Sequence, residues 1–400
     1  MHGNREADDD EHGGDRPARG SGVEGLLVFT FMILDGVSPN KTVYPETIQD
    51  LADAVASEKG SIVPLGAGGH MHFGNPLKSA DCVIDLSRMS RITAYNPAEI
   101  TIHVEAGVTL NQLHAALAEH NQTLPLDPWS GPGSTIGGVA AANAQGPLRA
   151  AGSIRDWIIG MKVVHADGRV SKTGGRVVKN VTGYDLAKLY TGSLGSLAII
   201  AEVSLKLRPA FGKTSTAVAE FENLAQARAV LAQIRRSPLQ PVCCEWLGPP
   251  HALWLRFEEH PRAVAWQISQ LPAADWKILE GDAEASQWET LRRRYETMGP
   301  VVVRVSARMT DAADIIETHR PSSWIAHALN GVMLMTVPGA ETVARLRESF
   351  PTVIEKAPPD VRRSAGVFGV RGTERRLMEA MKRAFDPGGR LNPGRHIDGE

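Results

Sequence analysis

Cysteine is scarce in this chain of 400 residues: Cys82, Cys243 and Cys244 are the only three, and no pair has the CxxC spacing. They form no disulfide framework, which favours a reducing compartment. A self-contained iron–sulfur cluster is excluded as well, because it takes about four thiolates. Neither sign of charge is in excess. The 43 Lys and Arg residues stand against 45 Asp and Glu, a formal net charge of −2, so there is no basic footprint for nucleic acid. Long apolar runs are missing too. "LLVFTFMIL" (26–34) has nine residues, about half of a spanning helix, and reads as a buried strand or short docking segment. The segment before it is acidic, which argues against a signal peptide or anchor. Residues 1–22 are acidic and glycine-rich, a composition that stays disordered. We therefore read 1–35 as a disordered or variable extension, and expect a cytoplasmic protein.

What is present is regular from Tyr44 onward. "PETIQDLADAVASEKG" places Ile48, Leu51, Ala52 and Val55 on one helical face, with Pro45 in the first turn and Gly60 as the stop. "SIVPL", "DCVIDLS" (81–87) and "ITIHVEAG" (100–107) read as strands, the last by alternation. Thr109 and Gln112 form a capping-box pattern ahead of Leu110, Leu113 and Leu117. "WIIGMKVVHADGRV" reads as a hairpin turning at Ala166-Asp167-Gly168, and "LAIIAEVSLKLRP" as a further strand. Beyond Pro209 the character changes: a helix is expected over 221–236, and Trp246, Trp254, Trp266, Trp276, Trp288 and Trp324 concentrate here with strand-like "ALWLRF" and "VVVRV". The expected class is α+β. It divides into 36–210, a smaller α+β cap over 211–370, and 371–400, a basic amphipathic helix and a tail of Gly/Pro turns.

Two glycine-rich stretches carry the chemistry. "GAGGHM" (66–71) has Asp85 about twenty residues on, as a dinucleotide-binding fingerprint requires, but Met71 replaces the third glycine, and Gly74 and Pro76 prevent a following helix. An NAD site of that kind is disfavoured. Consecutive small residues still expose backbone N–H groups that can form a nest for a phosphate. The second stretch, "DPWSGPGSTIGGVAAANAQG", adds hydroxyls at Ser134 and Thr135 and a run of alanines against which a flat ring can lie. Together the loops point to a bulky phosphorylated aromatic cofactor.

A third block, "KNVTGYDLAKLYTGSLGSL", completes a pattern that resembles the FAD-binding oxidoreductases of the vanillyl-alcohol oxidase (PCMH) type. Among them the chain is similar to the family of the FAD-binding E subunit of bacterial glycolate oxidase. The resemblance rests on "PLGAGGHMHFGNP", "STIGGVAAANAQG", this block and the closing "FDPGGRLNPGR". It implies a two-subdomain FAD-binding fold to which the C-terminal tail returns. It implies that Gly66, Ala67, Gly68, Gly69, His70 and Met71 wrap one side of the FAD pyrophosphate, with Pro128, Gly133, Ser134, Thr135, Gly137 and Gly138 on the other. Ala141, Asn143 and Gly146 would run beside the flavin, and Ile199 and Ile200 would approach the adenine. Tyr184 and Asp185 are assigned to holding a local turn. FAD is expected to bind non-covalently; the alternative is a covalent link through His70, whose spacing to Gly74 matches covalently flavinylated relatives. No metal site is expected, since His70 and His72 have no third ligand nearby.

Oxidising a 2-hydroxy acid also needs a base for the hydroxyl proton and a cation for the carboxylate. The histidine-rich motif of stand-alone dehydrogenases is missing from the C-terminal half. His327, in "HALNG", and Arg304 are the candidate base and anchor; Lys179 and Asn180 come second. By the resemblance, the chain is the FAD-binding subunit of a complex that oxidises a small D-2-hydroxy acid. Its partners would be a second flavoprotein subunit and an iron–sulfur subunit, which would bring it to the inner face of the cell membrane. A self-sufficient dehydrogenase and a non-catalytic assembly subunit remain as alternatives.

Overall fold

The structure, a computed structural model, describes residues 34–175, 184–370 and 372–396. Three parallel strands, ordered Lys41–Val43, Cys82–Asp85, Ile62–Leu65, form a small sheet. Beside it stands a five-stranded antiparallel sheet in the order Ile92–Asn96, Thr101–Glu105, Ile199–Lys206, Ile158–Val164, Val170–Gly174. One apolar core joins the two sheets. Helices Ile48–Ser57, Ile136–Ala142 and Leu186–Tyr190 pack on the larger sheet, so Thr101–Glu105 is buried at every residue instead of alternating. The first of these helices also begins later than the proline suggests. Thr47 and Asp50 form a reciprocal capping box, and those two side-chain bonds fix the start more strongly than the backbone preference of Pro45.

The second lobe is an eight-stranded antiparallel sheet. Its order is Lys277–Leu279, Lys213–Phe221, His251–Glu259, Cys243–Gly248, Trp324–His327, Val332–Thr336, Val302–Ser306, Thr352–Lys356. Period-two alternation gives it two different faces. Cys244, Trp246, Val303, Val305, Met333 and Met335 point to a core built with the helices Leu224–Arg236, Pro261–Ser269, Ala312–His319 and Ala340–Ser349. Leu247, Val302, Ile325 and Leu334 point the other way, to helix Gly281–Thr297 and to Trp129 of the first lobe. Trp129 stacks on Tyr295 with ring centroids 4.8 Å apart.

After helix Gly372–Phe385 the chain comes back to the first lobe. Ile62 and Leu391 form a parallel bridge, with Ile62 N–H donating to the Arg390 carbonyl at 2.7 Å and Asn392 N–H to the Ile62 carbonyl at 2.9 Å. The Lys382 ammonium is buried there. It donates to Asp386 Oδ2 at 2.6 Å and to the carbonyls of Ser196 and Leu391 at 2.9 Å. A buried charge satisfied three times holds the tail in one place. Among the described residues, no helix is long and apolar enough to cross a membrane.

Candidate active site

Strand Ile62–Leu65 ends in six residues, Gly66–Met71, that form one wall of a cleft of about 710 Å³. The N–H groups of residues 67–70 make no hydrogen bond among the described residues, and Gly68 holds φ +76°. Such a row of unspent donors is a nest for anionic oxygens. The opposite wall is the start of helix Ile136–Ala142, where Thr135 Oγ1 accepts from Gly138 N–H at 3.3 Å. The two walls also touch. A Cβ on Gly66 would collide with the Thr135 hydroxyl, and one on Gly137 would lie 2.6 Å from Ala106 Cβ. Small residues here serve close packing as well as an open cleft.

Two buried polar atoms in the lining have no partner: Asn392 Oδ1 and Arg395 Nη2. Arg395 Nη1 donates to the carbonyls of Met71 at 2.6 Å and Phe73 at 2.8 Å, which fixes the guanidinium at the glycine loop. Burial pulls its pKa down to about 10. His70 is lowered to about 4, chiefly by burial, so its ring is neutral at pH 7; Nε2 lies 2.7 Å from the Ser130 hydroxyl.

Of the residues expected at the cofactor, Gly66, Ala67, Gly68, Gly69, His70, Met71, Thr135, Gly137, Gly138, Ala141, Ile199 and Ile200 line this cleft. Five do not. Ser134 is buried behind the loop and donates to Ser130 Oγ at 2.7 Å. Gly133 faces open space, Pro128 opens on a separate cavity, and Gly146 packs on the Asp127 carbonyl. Asn143 ends the helix in the left-handed region, φ 47°, and turns toward an adjoining cavity. Tyr184 is exposed, and Asp185 stands before helix Leu186–Tyr190 with its carboxylate 3.4 Å from Lys188.

The adjoining cavity measures about 900 Å³ and shares Ala142 and Leu194 with the cleft. The first lobe contributes Asn143, whose Oδ1 is buried without a partner, and Arg149 from the turn Pro147–Ala151. The second lobe contributes Arg304 and Glu355, joined at 3.1 Å through Nε and Oε2. The Arg149 guanidinium makes no hydrogen bond or ion pair among the described residues. Burial and then Arg304 lower its pKa to about 10, which leaves it charged at pH 7. Two guanidiniums against one carboxylate make this cavity a receptor for an anion.

The two catalytic candidates reach the same face of the large sheet but not the same place. Arg304 lines the cavity. His327 does not: it is buried with Nδ1 2.9 Å from Glu245 Oε1, and the ring of Trp129 lies 5.9 Å away. Lys179 and Asn180 fall outside the described residues. Arg149, Glu355, Asn392 and Arg395 were not singled out by the sequence reading.

With this geometry the chain can be compared with known proteins. The FAD binding domain family matches residues 39–174, and the C-terminal domain of FAD linked oxidases matches residues 370–396. The glycolate oxidase subunit GlcE of Escherichia coli is 30% identical over 256 residues, 63% of this chain and 69% of that protein. The chain belongs to the PCMH-type FAD-binding oxidoreductases. Among other members, the D-2-hydroxyglutarate dehydrogenase of Xanthomonas citri pv. viticola is 25% identical over 88% of this chain and 87% of its own. The glycolate oxidase subunit GlcD of Bacillus subtilis is 32% identical over 54% of this chain, and the match spans only 47% of that protein. In structure, alkyldihydroxyacetonephosphate synthase superposes with a TM-score of 0.63 at 18% identity, covering 88% of this chain and 76% of that one. The α+β fold of this FAD-dependent oxidoreductase is thus shared across a wide range of sequences.

Proposed function

We propose that this flavoprotein oxidises a small D-2-hydroxy acid to the 2-oxo acid, as the FAD-binding subunit of a glycolate oxidase-like complex. The observation that carries the reading is the unpaired Arg149 guanidinium in a cavity that opens from the cofactor cleft. The cleft suits FAD on its own chemistry: free N–H groups over 67–70 for the pyrophosphate, and Asn392 Oδ1 and Arg395 Nη2 as polar atoms awaiting a partner. FAD held there would supply the acceptor for the hydride that leaves substrate C2. Arg149 takes the substrate carboxylate, and Arg304 holds Glu355 through one oxygen. The other oxygen, Oε1, has no hydrogen bond among the described residues and takes the hydroxyl proton. Hydride and proton together account for the two electrons and two hydrogens removed. The electrons then leave to a second flavoprotein subunit and an iron–sulfur subunit, since the chain has too few cysteines for a cluster of its own. Contact with the membrane goes through those partners.

FAD is held non-covalently in this reading, with His70 engaged by Ser130 instead of the flavin. Acid precipitation checks this: a colourless pellet under a yellow supernatant is expected, and a yellow pellet contradicts it. A second reading, a self-sufficient dehydrogenase, draws on the near full-length match to D-2-hydroxyglutarate dehydrogenase. Steady-state reduction of an artificial acceptor by the purified chain separates the two. The subunit reading expects turnover to rise when the partner subunits are added; full activity alone supports the second.

A further inference from the structure

We infer that this protein has a second ligand site, at the seam of the two lobes, that takes a small organic carboxylate. The site is a cavity of about 780 Å³ that shares no lining residue with the cofactor cleft or the Arg149 cavity. Three arginines reach it. Arg208 is tied through Nη2, which donates to Glu258 Oε2 at 3.0 Å, and its buried Nε has no partner.

Arg256 and Arg292 are held from behind. Arg256 Nε is 3.0 Å from Glu284 Oε1, and its guanidinium lies 5.9 Å from the Trp288 ring centre. Glu284 is itself buried and fixed by the hydroxyls of Thr214 at 2.6 Å and Thr216 at 2.8 Å. Arg292 Nε is 3.3 Å from Glu289 Oε2, and Nη1 lies 2.7 Å from where a Cβ on Gly131 would be. Neither guanidinium donates a hydrogen bond among the described residues, and Arg292 Nη1 is buried with no acceptor. Unsatisfied charged donors of this kind are costly and call for an acceptor that the chain does not supply.

The two carboxylates of the lining, Glu258 and Asp127, make no hydrogen bond to either guanidinium, although Asp127 lies in the field of both; Glu258 is engaged by Arg208. Asp127 already accepts from Leu148 N–H through both oxygens, at 2.9 and 3.1 Å, and burial raises its pKa to about 7. His114 Nε2 lies 3.2 Å from the Leu124 carbonyl, and burial holds its pKa below the usual imidazole value. The facing wall is apolar, formed by Leu110, Leu126, Leu148 and Pro132. Guanidinium forks match the two oxygens of a carboxylate, and the apolar wall suits a carbon skeleton better than an inorganic ion.

The test is calorimetric titration of the FAD-loaded full chain with succinate, and separately with inorganic phosphate, against sodium chloride at matched ionic strength. Saturable succinate binding is expected, weakened about tenfold or more in Arg256→Gln and in Arg292→Gln and retained in Arg149→Gln. If a glutamine variant fails to fold, Arg292→Lys serves, because it keeps the charge and loses the fork. Four results would overturn the inference: no heat beyond the chloride control, full binding in Arg292→Lys, loss in Arg149→Gln alone, or phosphate binding more tightly than succinate.

Discussion

The cofactor cleft and the Arg149 cavity adjoin each other but are built by opposite means. The cleft is made of backbone: unspent N–H groups, glycines in close contact, and a helix start capped by Thr135. Its parts come from short contiguous stretches. The cavity is made of long charged side chains, Arg149 from one lobe and Arg304 and Glu355 from the other. A backbone site holds a large cofactor whose shape is constant. A side-chain site between lobes can change its ligand with a few substitutions. Relatives named for glycolate and for D-2-hydroxyglutarate are similar to this chain.

Substitutions in the two regions should therefore fail differently. The largest effect is expected from Glu355→Gln. Flavin content and spectrum should be unchanged while kcat falls about 100- to 10,000-fold, the usual range for loss of a general base; stopped-flow bleaching at saturating substrate measures it. Arg149→Gln comes next, with kcat/KM down about 100-fold, mainly through KM, as loss of a charged hydrogen bond to the ground state requires. Gly137→Val should act on the cleft instead, where the added side chain meets Ala106. Overpacking of about 1–3 kcal/mol should lower the melting temperature and the fraction of flavin retained, with kcat per bound flavin preserved. Equal losses of flavin in Arg149→Gln and Gly137→Val would erase the contrast.

The smallest expected effects are in pH dependence, and the two residues concerned have opposite signs. His70 has a folded pKa of about 4 against an ordinary 6.5. Between those values the unfolded chain binds more protons, so its contribution is complete above pH 6.5 and is lost as pH falls toward 4. Asp127 has a folded pKa of about 7 against 3.8, so the folded chain binds more protons and stability declines as pH rises across that interval. Denaturant titrations at pH 4.5, 5.5 and 6.5 should show a shallower rise in His70→Gln and a steeper one in Asp127→Asn. The reverse pattern would contradict both assignments.

The same contrast decides what could be read from the sequence. "GAGGHM" and "STIGGVAAA" announce themselves because each wall of the cleft is one unbroken piece of chain. Asn392 and Arg395 looked like turn residues in "LNPGR", because their role depends on a bridge between Leu391 and Ile62 that no local pattern encodes. Arg149 lies in a single turn, Pro147–Ala151, with no periodicity to mark it. The surroundings of His327 are non-local in the same way. Its neighbour Glu245 is on the adjacent strand, 82 residues away, and Trp129 comes from the other lobe. Arg304, on strand Val302–Ser306, lines the cavity with Glu355 of the neighbouring strand.

The central claim is that the anion cavity beside the flavin is where substrate binds. It is tested most directly by mixing the isolated FAD-loaded chain anaerobically with glycolate or D-lactate and following flavin absorbance. Bleaching by at least one of these acids, with a half-saturating concentration about 100-fold higher in Arg149→Gln, is the predicted result. Bleaching that is as sensitive to substrate in Arg149→Gln as in the parent chain would contradict it.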